Sequence, residues 1–306
     1  MKEPNFDFMK VRWMAMALSI LLVIVSIVSL STRGLNLGLD FTGGTLIEVR
    51  YEQAPDLAAV RRQLNEAGLI NFSVVHFGAE TDVLVRVQNS DDSLLGDRIL
   101  ELLQRDGSQL EIRRLDYVGP QIGDELLNQG GLGLLLAIMV MMVYIAVRFQ
   151  FKFSVAAAVA LLHDVIITLG IFSVFGWNCD LTVLAAVLAL IGYSLNDTIV
   201  VFDRIREVVR ESSRDAIIDS INRSINQTLG RTINTGLTTL LVLGSLFFFG
   251  GEAVHGFAEA LIVGIVVGTY SSIYIASALL ITLKLQREDL IVPVRGERGA
   301  YDDGMP

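Results

Sequence analysis

The sequence predicts an α-helical integral membrane protein, with six transmembrane helices and one small α+β domain outside the bilayer. Three observations predict it. Of 306 residues, 52% are hydrophobic and only 19% charged, an apolar balance compared with soluble domains. Six stretches are apolar and close to the ~20 residues that a spanning helix needs. A long polar segment between the first two alternates between period-two and helical spacing.

Taken in order, residues 1–12 form a cytoplasmic N-terminus and 13–31 the first span. Leu30-Ser-Thr-Arg33 offers no small-residue cleavage site, so this stretch reads as a retained helix and not a signal peptide. Residues 32–130 form the external domain. The remaining spans cover 131–148, 154–175, 181–203, 231–250 and 256–284, with a cytoplasmic amphipathic connection at 204–230 and a cytoplasmic tail at 285–306. Orientation follows from the basic residues. Lys2, Lys10 and Arg12, then Arg148 and Lys152, then the arginines from Arg204 to Arg231, then Lys284 and Arg287 all fall on one side. The loops 176–180 and 250–256 carry none. Basic residues favour the cytoplasmic side, which places both termini there. Within the connection, Ile205, Val208, Val209, Ile218, Ile221, Ile225 and Leu229 recur near helical spacing among arginines. That pattern predicts a helix lying on the inner membrane surface.

In the external domain, 45–52 reads as a strand, 56–67 as a helix, 72–77 and 83–88 as strands, 93–105 as a helix and 109–118 as a strand. The order is βαββαβ, the ferredoxin-like arrangement. Here 16 acidic residues face 9 basic ones within 32–130, which excludes a basic nucleic-acid surface. Cys179 is the single cysteine, so no internal disulfide or cysteine-based metal framework can form. His76 is a lone histidine in a strand, and no metal site is expected. Gly38-Leu-Asp-Phe-Thr-Gly-Gly-Thr45 has the spacing of a phosphate-binding loop, but Gly44 stands where the lysine is required. It reads as a turn into the first strand, with Gly43 and Gly44 supplying backbone angles closed to other residues.

The chemistry lies in the membrane. Asp197 sits inside the fourth span, in Ile191-Gly-Tyr-Ser-Leu-Asn-Asp-Thr-Ile-Val-Val-Phe202. A charged group there costs roughly 2.5–3.5 kcal/mol on insertion scales, so an intramembrane acid is a functional candidate. Counted from the outer ends of their spans, Asp197 is about 24 Å deep and Arg231 about 27 Å. The two are therefore placed to meet. Arg231, Asn234, Thr235 and Thr238 form an i, i+3, i+4, i+7 stripe that belongs against other helices or a hydrated path. Arg231 has the alternative of snorkelling to the cytoplasmic headgroups. Asn196 adjoins the acid, and His163 with Asp164, about 15 Å into the third span, forms a secondary relay or a structural site. The last span carries Ala260, Gly264, Gly268, Ser272 and Ala276 at intervals of four, a small-residue ridge for close approach by a helix of this chain or of a partner.

Several stretches together resemble the SecD/SecF family of bacterial protein-export subunits, within the resistance-nodulation-division superfamily. They are Gly38-Leu-Asp40-Phe-Thr-Gly43-Gly44, Val118-Gly119-Pro120-Gln-Ile-Gly123, Leu162-His163-Asp164, Ile191 to Glu207 and Gly230-Arg-Thr-Ile-Asn-Thr235. The resemblance implies one six-span half of a twelve-span assembly, completed by SecD, that uses inward proton flow to pull a translocating unfolded polypeptide from the SecYEG translocon. It implies proton conduction at Asp197 and Arg231, a bacterial inner-membrane location, a periplasmic outer domain and YajC as a further partner. Protons are the coupling ion and no cofactor or enzymatic activity is expected.

Two other classes make different demands. An intramembrane aspartyl protease would bring Asp164 and Asp197 together, and neither lies in that class's Gly-x-Gly-Asp signature. A proton-coupled half-transporter for small molecules would need an apolar substrate pocket in the outer domain.

Overall fold

An apolar run of this length satisfies its backbone amides in hydrocarbon by forming a helix. The computed structural model describes residues 6–77, 79–88, 94–104, 110–211 and 216–290, and among these it contains six helices long and apolar enough to cross a membrane. The chain is a multi-pass membrane protein.

The first helix, α1 (Arg12–Thr32), turns Leu18, Leu21, Ile24 and Ile27 outward and buries Ala15, Ser19, Ser26 and Ser29. Lipid is as apolar as leucine, so small residues mark the helix–helix contact. A two-residue strand β1 (Asn36–Leu37) and one helical turn α2 (Leu39–Thr42) lead into an α+β unit that lies outside the membrane helices, hence the outer unit. That unit runs β2 (Gly44–Tyr51), α3 (Leu57–Glu66), β3 (Phe72–Phe77), β4 (Ala79–Gln88), α4 (Leu95–Gln104) and β5 (Leu110–Val118).

Its four strands form one antiparallel sheet in the order β3-β4-β2-β5. Alternation along the strands puts Ile47, Val49, Val74, Val83 and Val85 on one face, where they bury against Val60 and Leu64 of α3 and Ile99 and Leu103 of α4. The other face carries Leu46, Glu48, Leu84, Arg86 and Tyr117 and looks toward the nearest ends of the membrane helices, at Asp180 and Ala253, across a cavity of about 650 Å³. Gly44 pairs with Val118, so the unit enters and leaves the membrane region at one place.

The second long helix, α5 (Pro120–Arg148), starts well before the expected span. Pro120 suits the first helical position, where its missing N–H is not needed. Then come α6 (Phe151–Phe175), β6 (Asn178–Cys179), α7 (Leu181–Glu211), α8 (Ile217–Phe249) and α9 (Glu252–Tyr270). The last span continues through a π-helical turn, Ser271–Ala276, into α10 (Ser277–Thr282).

The connection at 204–230 is not a separate helix on the membrane surface. Most of it belongs to α7, which runs on to Glu211, and to α8, which starts at Ile217. Its apolar residues Ile205, Val209, Ile221 and Ile225 bury in one cluster with Met9, Phe149, Phe153, Phe202, Leu280 and Leu285. Packing between two helices removes that face from water more completely than headgroups would, which overrides the surface reading.

Candidate functional site

Asp197 is held by α7 with 8% of its surface exposed. Its Oδ1 accepts a hydrogen bond from Thr232 Oγ1 of α8 at 3.0 Å. Its Oδ2 is buried and has no hydrogen-bond partner. Leaving a buried polar atom unsatisfied costs about 1–3 kcal/mol, so this carboxyl is held half-satisfied at an interhelical seam.

The expected meeting of Asp197 with Arg231 is not a direct contact. No ion pair within 4 Å joins them among the described residues; Thr232, one position further along α8, donates to the acid, while the exposed Arg231 stays near enough to act on it through space. One residue is about 100° of helix, which separates the buried threonine from the exposed arginine. Asn196, Asn234, Thr235 and Thr238 are exposed with it. The Thr235 and Thr238 hydroxyls donate to the carbonyls of Arg231 and Asn234 at 2.9 Å. The polar stripe therefore lies on a face of α8 that this chain's own helices leave uncovered.

A second polar cluster lies deeper. Asp164 on α6 is completely buried and His163 is 6% exposed. His163 Nδ1 lies 2.9 Å from Asp164 Oδ1, while Oδ2 accepts from Ser194 Oγ of α7 at 2.5 Å and from Ser271 Oγ of the π turn at 2.8 Å. Thr198 Oγ1 and Ser272 Oγ are 2.9 Å apart. Sequence reasoning missed Thr232, Thr198, Ser194 and Ser271. The signal was there for one of them: Ser194 precedes Asp197 by one helical turn. Asp164 and Asp197 have separate partners and do not form the shared pair a protease would need.

The small-residue ridge packs within the chain. A Cβ on Gly264 would sit 2.6 Å from Leu190 Cδ2, and one on Gly268 would sit 3.2 Å from Ser194 Cβ, both on α7. Of the two occupants left open for this ridge, a helix of this chain or one of a partner, the structure shows the chain's own α7.

The glycine motif does more than turn the chain. Gly38 donates its N–H to the Cys179 carbonyl at 2.8 Å, beside the parallel β1–β6 pairing. Asp40 Oδ2 accepts from Leu181 N at 3.0 Å, and Asp180 Oδ1 accepts from Thr182 N and Val183 N. Two carboxylates thus serve the free amides and positive dipole end of α7. Gly43 and Gly44 adopt φ of +66° and +127°, and Gly119 precedes Pro120 as the cap of α5. Arg86 Nη1 donates to Asn178 Oδ1 at 2.8 Å, tying the sheet to the same corner. The neighbouring cavity is lined by Asp40, Glu48, Arg86, Arg114, Asp116 and Asp180 beside its apolar residues, which is not the apolar pocket of a small-molecule exporter.

Comparison with known proteins gives a consistent result. Residues 98–286 match the family model described as protein export membrane protein SecD/SecF, C-terminal, and residues 28–55 match the SecD/SecF GG motif. The chain is 50% identical to protein translocase subunit SecF of Pseudomonas aeruginosa, covering 95% of this chain and 96% of that one. It is 46% identical to the subunit of the same name from Vibrio alginolyticus, covering 99% and 98%. The crystal structure of SecDF from Thermus thermophilus, a translocon-associated membrane protein, superposes with a TM-score of 0.83 at 37% identity. That match covers 93% of this chain and 39% of the SecDF chain.

Proposed function

The chain belongs to the SecD/SecF family of protein-export membrane proteins, as a SecF-type translocase subunit, and from that premise we propose that it couples inward proton movement at Asp197 to polypeptide export. The observation that carries the reading is the buried carboxyl of Asp197, with one oxygen unpartnered, beside an uncovered stripe of α8 that presents Arg231, Asn234, Thr235 and Thr238. When protonated, Asp197 is neutral and indifferent to Arg231. When ionised, the two attract across a medium of low dielectric, so proton occupancy favours different placements of α8 against α7. Moving one charge through 100 mV supplies about 2.3 kcal/mol. Several protons per stroke are then needed to move a folded domain.

The uncovered stripe calls for a second half, and SecD is its proposed occupant. This is supported by the SecDF chain of Thermus thermophilus, of which the present chain spans 39%. The βαββαβ succession and sheet order suit a ferredoxin-like periplasmic domain that contacts the emerging unfolded polypeptide. SecYEG and YajC are the further proposed partners, the bacterial inner membrane is the proposed location, and both termini are cytoplasmic in this reading. The test is export into inverted membrane vesicles with Asp197→Asn, which keeps size and removes the titrating group. The gradient-dependent part of export should vanish while the subunit stays in the membrane. Gradient-dependent export at the parent level by Asp197→Asn would contradict the role.

A further inference from the structure

We propose that Asp164 and His163 form a second proton-binding station, separate from Asp197, whose occupancy sets the direction of the Ser271 hydrogen bond at the head of the π-helical turn. Its use in export rests on the coupling reading above; the proton binding itself does not.

Charge around the site comes first. Asp164 is fully buried, and the ionisable group it touches is His163. Residues 13–31 of α1, 131–147 of α5 and 260–282 of the last span contain no charged side chain, and 181–196 of α7 contain none before Asp197. Glu259, on α9, is 12 residues before Ser271, or about 18 Å along a helix. What faces Asp164 from α7 and the last span is Ser194, Gly268 and Ser271, and α1 packs against the same helix through Ser26 and Ser29. Among the described residues, no arginine or lysine contacts this acid.

His163 is fixed in one tautomer by its surroundings. Its Nε2 is buried without a hydrogen-bond partner and the ring borders a cavity of about 400 Å³ walled by Ile20, Val23, Ile24 and Val159. A proton on Nε2 would find no acceptor within hydrogen-bond distance, so the ring N–H is placed on Nδ1, from which it donates to Asp164 Oδ1. The group left to take up a proton is the carboxyl.

Both states of that carboxyl are satisfied by the same atoms. Ionised, Oδ2 accepts hydrogens from Ser194 and Ser271. A proton taken from water and bound to Oδ2 makes a new O–H, which donates to Ser271 Oγ. The Ser271 hydrogen then turns to the Gly268 carbonyl, already 3.1 Å away. A serine hydroxyl is one donor and two acceptor sites, so it can reverse without moving. Only the O–H of Asp164 is gained. The reversal falls on the first residue of the π turn, whose next residue, Ser272, meets Thr198 beside Asp197. Such turns are frequent at functional sites.

The test is infrared difference spectroscopy on the full-length chain, purified with its partner in lipid nanodiscs and carrying Asp197→Asn. A carbonyl band of a protonated carboxylic acid should rise as pH falls and be absent when Asp164→Asn is added. Ser271→Ala should move its midpoint by about one pH unit, a tenfold change in proton affinity. Asp164→Glu keeps the acid and should retain a titrating band at a displaced frequency, which preserves the assignment should asparagine prevent assembly. No band traceable to position 164 at any pH where the complex stays folded would overturn the station. An unchanged midpoint in Ser271→Ala would overturn its link to the last span. Because Asp197 is absent from this background, neither result depends on its role.

Discussion

Replacing Gly123 by alanine should loosen the joint between the outer unit and the membrane helices. A Cβ there would lie 2.8 Å from Gly43 N, 3.0 Å from Phe41 O and 3.1 Å from Phe41 C. All three are backbone atoms, so no side chain can swing aside. Restoring ordinary contact of about 3.5 Å means moving the glycine motif by roughly half an ångström or more, and that motif carries Asp40, the carboxylate on the first amide of α7. Overpacking of this kind costs about 1–3 kcal/mol. Replacing glycine inside a helix returns up to about 1 kcal/mol. At Gly131, on the same helix, an added Cβ would meet nothing within 4 Å, so Gly131→Ala keeps only the favourable part. The same chemical change at two positions of α5 should therefore differ by about 1–3 kcal/mol, or roughly fivefold to 160-fold in unfolding rate. Unfolding of such a protein is best read as a rate, followed by tryptophan fluorescence of the detergent-solubilised chain at fixed temperature. Equal unfolding rates for the two variants would refute the close packing argued here.

The Arg50–Asp82 pair, with Nε–Oδ1 at 2.5 Å and Nη2–Oδ2 at 2.6 Å, gives the outer unit a pH dependence. Hydrogen bonds from Arg50 hold the Asp82 carboxyl below its usual range, so the contribution is present above the unfolded value of about 3.9 and is lost as pH falls through the folded one. Proteolysis of β2 and β4 should accelerate on acidification in the parent and show a weaker pH dependence in Asp82→Asn; parallel profiles would reject the assignment. Arg231→Lys keeps the charge but loses the planar fork, and gradient-driven export should drop several-fold; parent-level export would mean that Arg231 only snorkels to the headgroups.

The spans and the outer strands were legible because each rests on a local period. Leu57, Val60 and Leu64 mark one face of α3, and Ile47 and Val49 alternate along β2, without help from distant residues. Asp197 was legible because a lone acid in an apolar run is anomalous by itself. Its partner was not. Arg231 and Thr232 are neighbours in sequence, and which of them faces α7 depends on the rotation of α8, a tertiary quantity. The same holds for Ser271: nothing in Tyr270-Ser-Ser-Ile announces a π turn, within which Ser271 reaches Asp164 and Ser272 reaches Thr198. The glycine motif read as a turn since its second task, serving the α7 amides through Asp40, joins residues 141 positions apart. The amphipathic stretch after Phe202 read as a surface helix because apolar spacing alone does not say whether lipid or another helix covers it.

Proton uptake and release at Asp197 stands at the centre of the proposed coupling. Its most direct test is proton flux into sealed vesicles holding the purified complex, with a pH-sensitive dye inside and an imposed potential, while an unfolded polypeptide occupies the translocon. Potential-driven acidification is expected in the parent, and none above protein-free vesicles in Asp197→Asn. Equal flux in the two would contradict it.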